Sequence, residues 1–125
     1  MFSTFIIGSS HEIKDFPLVP DIGYFVNCTS SMDLTFHGTL VDSPRTLTLY
    51  PGWNLVGWSS SRNMTAEAFG ELQYNISKIS GYNSRVELYT TYLVGLSHND
   101  RDFNMSCGNG YFVYSNATSV VSVNI

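Results

Sequence analysis

The chain has 125 residues, enough for one modest core and too few for two full-sized independent domains. Only 13% of residues are charged while 43% are hydrophobic, with 8 Tyr, 8 Phe and 2 Trp, a composition that excludes a disordered chain. The net charge of −4 without any Lys/Arg cluster excludes the electrostatic footprint of a duplex nucleic-acid binder. The longest apolar runs fall far short of the roughly 20 residues that cross a bilayer, so no membrane insertion by this segment is expected. Residues 1–8 lack the basic start and apolar stretch of a signal peptide, so an exported chain would take its export signal from elsewhere. Ser, Thr and Asn number 17, 10 and 10 against two Lys, a balance that favours an exported protein over a cytosolic one.

In chain order, residues 2–7, 24–28 and 33–41 read as strands. Residues 46–50 alternate Thr and Leu, Pro51-Gly52 is a turn dipeptide, and residues 53–58 resume with Leu and Val. Together these predict a β-hairpin or a tight strand connection. From 65 to 79 the apolar residues Phe69, Leu72, Ile76 and Ile79 recur at spacings of three and four, which predicts the one helix. Asn63 or Thr65 would cap its start, Glu67 and Glu71 would lie toward its positive end and Lys78 toward its negative end, and Gly81 would stop it. Residues 86–96, 110–114 and 119–125 are rich in β-branched and aromatic residues and read as strands. The expected fold is α+β, mostly antiparallel β, with one helix resting on the sheet.

The chain repeats itself. Residues 3–26 aligned without gaps on residues 90–113 give ten identities in 24 positions. They include Gly8/Gly95, His11/His98, Asp15/Asp102, Phe16/Phe103 and the run Gly23-Tyr24-Phe25-Val26 over Gly110-Tyr111-Phe112-Val113. The offset of 87 residues divides the chain into residues 1–38, the second half of a preceding unit, and residues 39–125, one complete unit, packed as a single domain. A stretch of a tandem array and a chain that duplicated part of itself both fit this arithmetic.

Leu49-Tyr50-Pro51-Gly52-Trp53-Asn54-Leu55-Val56-Gly57, followed by a helix, a strand and Gly108-Asn109-Gly110-Tyr111-Phe112-Val113, resembles the repeat modules of archaeal and bacterial cell-surface proteins. Those modules open on a "GWNL" strand and close on a "G-x-GYW" strand, and here Phe112 stands where Trp is frequent. The resemblance covers about residues 45–125. It implies an extracellular, often tandem, module of an envelope or adhesin-like protein, whose partners would be neighbouring repeats of the same parent chain, or a protein or glycan of the cell surface.

Alternation along strands makes Trp53, Trp58, Tyr111 and Phe112 packing residues first; exposed, they would form a platform for sugar rings. Cys28 follows one GYFV motif and Cys107 precedes the other, so hairpins packed side by side would allow a disulfide worth about 4 kcal/mol in the chain-entropy account. Sequons begin at Asn27, Asn63, Asn75, Asn104 and Asn116 and carry meaning only in an exported chain. The repeated pairs His11/Asp15 and His98/Asp102 offer ligands to a cation, but a shared loop scaffold reproduces such pairs equally well and is the favoured reading. His37 stands alone and is expected to be structural. No Cys/His spacing suggests zinc, and no activated nucleophile, carboxylate pair or phosphate-cradling loop has recognisable spacing. The chain is therefore expected to be non-catalytic and free of cofactors, acting as a structural or interaction module, with a carbohydrate-binding module as the alternative.

Overall fold

The computed structural model describes residues 4–8, 14–39, 44–97 and 99–123. Strands β1 (Arg45–Leu49), β2 (Gly52–Gly57) and β3 (Met64–Thr65) lead into helix α1 (Ala66–Gly70). Strands β4 (Ile76–Asn83), β5 (Leu88–Leu93), β6 (Asn104–Met105), β7 (Gly110–Ser115) and β8 (Ser119–Val123) follow. A four-stranded antiparallel sheet runs in the order β2-β7-β4-β5, β1 pairs with β8, and β3 pairs with β6. The fold is thus mostly antiparallel β with one short helix, as the composition of the segments predicts.

The core fills the space between the inner face of the large sheet and the β1/β8 pair, with α1 packed in beside it. Val56, Ile79, Tyr92, Tyr111 and Val113 point inward from the large sheet, and Leu47, Leu49, Val121 and Val123 meet them from the small one. Strict alternation along β8 puts Ser119, Val121 and Val123 inside and leaves Val120 and Ser122 outside. Phe69 of α1 is fully buried, edge-on to Trp58 at 5.9 Å, and the Trp58 indole N–H donates to the Arg62 carbonyl.

The helix is much shorter than residues 65–79. Thr65 caps it, its hydroxyl accepting from the Ala68 N–H, and Glu67 lies in the first turn as expected. The chain leaves the helix after Gly70, and Ile76, Lys78, Ile79 and Gly81 belong to β4 instead. The helical spacing has a local cause: the β4/β7 register slips between Ile76 and Lys78, a bulge that adds one residue. That extra residue turns both Ile76 and Ile79 to the core, three positions apart. Strands β1 and β2 do not form a hairpin but a tight connection that switches the chain from one sheet to the other. Gly52, at φ +98°, makes the corner, and Asn54 ties it. The Asn54 side chain accepts from the Tyr50 N–H and donates to the carbonyls of Tyr50, Gly52 and Val113.

The described parts of residues 2–7, 24–28 and 33–41 form no strand. The strands 87 residues further on, β5, β7 and β8, ladder only with β1, β2 and β4, and those are already used once. The N-terminal segment joins the sheet through an isolated antiparallel bridge, Ile22 to Val56.

Candidate functional site

The outer face of the large sheet is aromatic. Register places Trp53 and Leu55 of β2, Phe112 and Tyr114 of β7, Lys78, Ser80 and Tyr82 of β4, and Tyr89 and Thr91 of β5 on one side. Trp53 lies edge-on to Tyr114 at 5.2 Å and to Phe112 at 6.2 Å, while Tyr82 and Tyr89 approach to 4.8 Å. The Lys78 ammonium sits 5.0 Å from the Tyr114 ring centre and 5.9 Å from that of Trp53, within cation–π range. Trp53 remains 50% exposed, so its ring is available to a ligand.

Of the four aromatics singled out by sequence, the structure separates two pairs. Trp53 and Phe112 lie on this face, whereas Trp58 and Tyr111 are buried in the core and cannot serve as a platform. Tyr82, Tyr89, Tyr114 and Lys78 were missed. Phe112 and Tyr114 share strand parity, a signal that would have found Tyr114. Phe25 of the N-terminal segment lies over the same face, 5.9 Å from Phe112 and 6.4 Å from Tyr82. Between residues 24–26 and the sheet runs an open cleft of about 680 Å³, lined by Phe25, Leu55, Tyr82, Phe112, Arg85 and Asn109 among others.

Residues 21–23 are held at a bare patch of sheet. Gly57 and Gly110 are cross-strand partners, and the backbone of Ile22 and Gly23 lies against them where side chains would otherwise stand. The Gly57 N–H donates to the Asp21 carbonyl at 3.0 Å and the Gly23 N–H to the Leu55 carbonyl at 3.2 Å. The Asp21 N–H donates to the Ser59 hydroxyl, and Arg45 grips the Asp21 carboxylate with a two-pronged, partly buried fork. That hydrogen bond, opposed by burial and aided by the carboxylate charge, raises the Arg45 pKa above its ordinary value. No sequence motif marked Arg45 or Asp21.

The two repeated segments carry the same contacts at the same offset. Phe16 stacks on Tyr24 at 6.0 Å and 13°, and Phe103 on Tyr111 at 6.0 Å and 15°. The Tyr24 hydroxyl accepts from the Val19 N–H and faces the Pro17 carbonyl; the Tyr111 hydroxyl does the same with Ser106 and Asn104. Asp15 and Asp102 each accept from the N–H of the following Phe at 2.9 Å. Asp102 additionally accepts from the Glu67 N–H in the first turn of α1, tying its loop to the start of the helix. His11 and His98 lie outside the described residues, and Asp15 and His37 are exposed. Among the described residues no group of three or more His, Cys, Asp or Glu could hold a metal ion.

Cys28 and Cys107 are both free and exposed, so the expected bridge is not formed. It required two hairpins side by side, and residues 24–28 do not form the second one. Asn27, Asn63, Asn104 and Asn116 are exposed, but Asn75 is half-buried and its amide donates to the Ser119 hydroxyl. No helix among the described residues is long and apolar enough to cross a membrane. Compared with family models, curated proteins and solved structures, the chain matches none of them.

Proposed function

We propose that the chain is a non-catalytic, extracellular structural or interaction module of a cell-surface protein, one complete unit joined to the back half of its neighbour. The observation that carries this reading is the junction. Two side-chain-free positions in the sheet, Gly57 and Gly110, receive the backbone of the preceding segment, while Arg45 and Ser59 hold Asp21. A contact built this way fixes the angle between successive units, which is what an array needs to extend from a surface. Four exposed sequons and the Ser, Thr and Asn richness fit the extracellular setting. The test is labelling of intact native cells with an antibody raised against the folded chain, paired with intact mass before and after enzymatic removal of N-glycans. Surface labelling supports the reading; reaction only after lysis, with no glycan mass, refutes it.

A second reading, a carbohydrate-binding module, is favoured by the half-exposed Trp53 ring beside Tyr114 and Lys78. An exposed indole offers a flat apolar face to the C–H side of a sugar ring, and a neighbouring ammonium can donate to its hydroxyls. Binding on a broad glycan panel that Trp53→Ala abolishes without changing the melting temperature would establish it. Absence of binding across the panel would remove it.

A further inference from the structure

Among the described residues, the preceding half carries a largely exposed set of apolar side chains that matches a core face of the complete unit. Tyr92, Met105, Tyr111, Val113, Val121 and Val123 are buried in the complete unit. At the 87-residue offset their counterparts are Phe5, Leu18, Tyr24, Val26, Leu34 and Phe36, each apolar or aromatic and all but the half-buried Tyr24 exposed. Val26 is 71% exposed where Val113 is 0%, and Phe36 is 82% exposed where Val123 is 4%. Exposed apolar side chains are common singly. A set matching a buried set position by position, with the period-two alternation of a strand at residues 32, 34 and 36, is a core face in waiting.

The geometry points to a specific occupant. In the complete unit the cover over these positions comes from the front half: β1 ladders with β8, β2 and β4 flank β7, β3 pairs with β6, and α1 donates to Asp102 and to the Phe103 carbonyl. The preceding half already holds the matching acceptor loop, with the Phe16/Tyr24 stack and the Asp15 bond in place. We propose that residues 5–8 and 14–36 belong to a back half of this same fold, with the loop of residues 15–24 already formed and its strands not, and that they bind a second front half, a segment of the chemistry of residues 45–83, from the adjoining unit of one polypeptide. The proposal rests on the repeat reading above and adds the interface and its partner. A second copy of this chain is the poorer occupant, because its front half already covers its own core and could be lent only by opening it.

The experiment adds a second copy of residues 39–87 ahead of residue 1 of the intact chain and follows amide hydrogen exchange. In the extended protein, exchange of residues 24–36 slows by at least about 100-fold, toward the rates of residues 111–123. Leu34→Asp with Phe36→Asp abolishes that gain in the extended protein and leaves the original chain unchanged, since both side chains are exposed there. Protection at 111–123 verifies that the complete unit is folded. Residues 24–36 exchanging as fast as in the original chain, with 111–123 protected, would overturn the proposal. So would concentration-dependent dimerisation of the original chain that protects 24–36, which would make a second copy the partner. Surface labelling is unaffected by any of these outcomes, so the cell-surface reading stands or falls apart from them.

Discussion

Gly57→Ala isolates the junction between residues 21–23 and the sheet. A methyl at residue 57 would stand 2.6 Å from the Ile22 carbonyl oxygen and 3.0 Å from its carbon, both backbone atoms that cannot swing aside. Restoring an ordinary contact moves residues 21–23 by about 0.8 Å, enough to break the 3.0 Å bond from residue 57 and the 3.2 Å bond from Gly23. At about 0.5–1.5 kcal/mol each, their loss weakens the junction by about 1–3 kcal/mol, or roughly 5- to 150-fold in opening. The fold of residues 45–123 does not share that loss. Alanine is at home in a strand and gains about 0.5–1 kcal/mol over glycine from the unfolded state, so global stability stays level or rises slightly. Amide exchange by NMR separates the two effects. The amides of residues 23 and 57 should exchange about 10- to 100-fold faster, while those of Ile79 and Val113 keep their rates. Unchanged protection at residue 23, or a uniform loss across the sheet, would refute the reasoning. Gly52→Ala is the contrast: nothing lies within 4 Å of its added methyl, so its cost comes only from φ +98° and leaves residue 23 untouched.

Three further outcomes follow from the packing. Phe69→Ala removes the fully buried ring that meets Trp58 and should cost about 3–5 kcal/mol in chemical denaturation; a loss under about 1 kcal/mol would place Phe69 outside the core. Both Cys28 and Cys107 should alkylate in the native protein without prior reduction, read by intact mass, and a chain that takes up label only after reduction would contradict their free state. Tyr92 has its pKa raised, first by burial and then by the charges of Glu67, Asp102 and Glu71. The native state therefore holds the phenol proton more tightly than the unfolded chain does. That contribution is complete below the ordinary tyrosine value and is lost as pH rises through the higher native one. Alkaline denaturation curves should show a loss of stability that Tyr92→Phe removes.

How far the fold was legible depends on which physical signal each residue carried. Thr65, one of two caps that the sequence offered beside Asn63, marks the helix start because capping is local chemistry between a hydroxyl and an N–H three residues away. The helix end was not legible, because a bulge in β4 imitates helical spacing and nothing in residues 76–79 distinguishes one cause from the other. Pro51-Gly52 marked a corner correctly. Whether the strands on either side pair with each other is a tertiary matter, and Asn54, which ties the corner to Val113 of β7, spoke only once the structure was known. The aromatic motifs were half legible: strand parity separates Trp53 from Val56 and Phe112 from Tyr111, but which parity faces water is fixed by where the β1/β8 pair lies.

The repeat was the strongest signal in the sequence, and its physical content exceeds its identities. Ten matched residues in 24 include the ones that make the local loop, Asp15, Phe16 and Tyr24, and their counterparts Asp102, Phe103 and Tyr111 make the same bonds. Loop geometry of this kind needs only neighbours in the chain, so both copies reach it. Ladders need a partner strand, so only the copy that has β1, β2 and β4 beside it becomes sheet. The same sequence pattern thus yields a stack of rings and a turn in one half and those plus three strands in the other. That difference measures what is local in this fold and what is borrowed. It also gives the physical reason why the strands expected at 24–28 and 33–41 are not formed by their described residues: alternation fits a segment to one face of a sheet, and a ladder needs a partner strand besides.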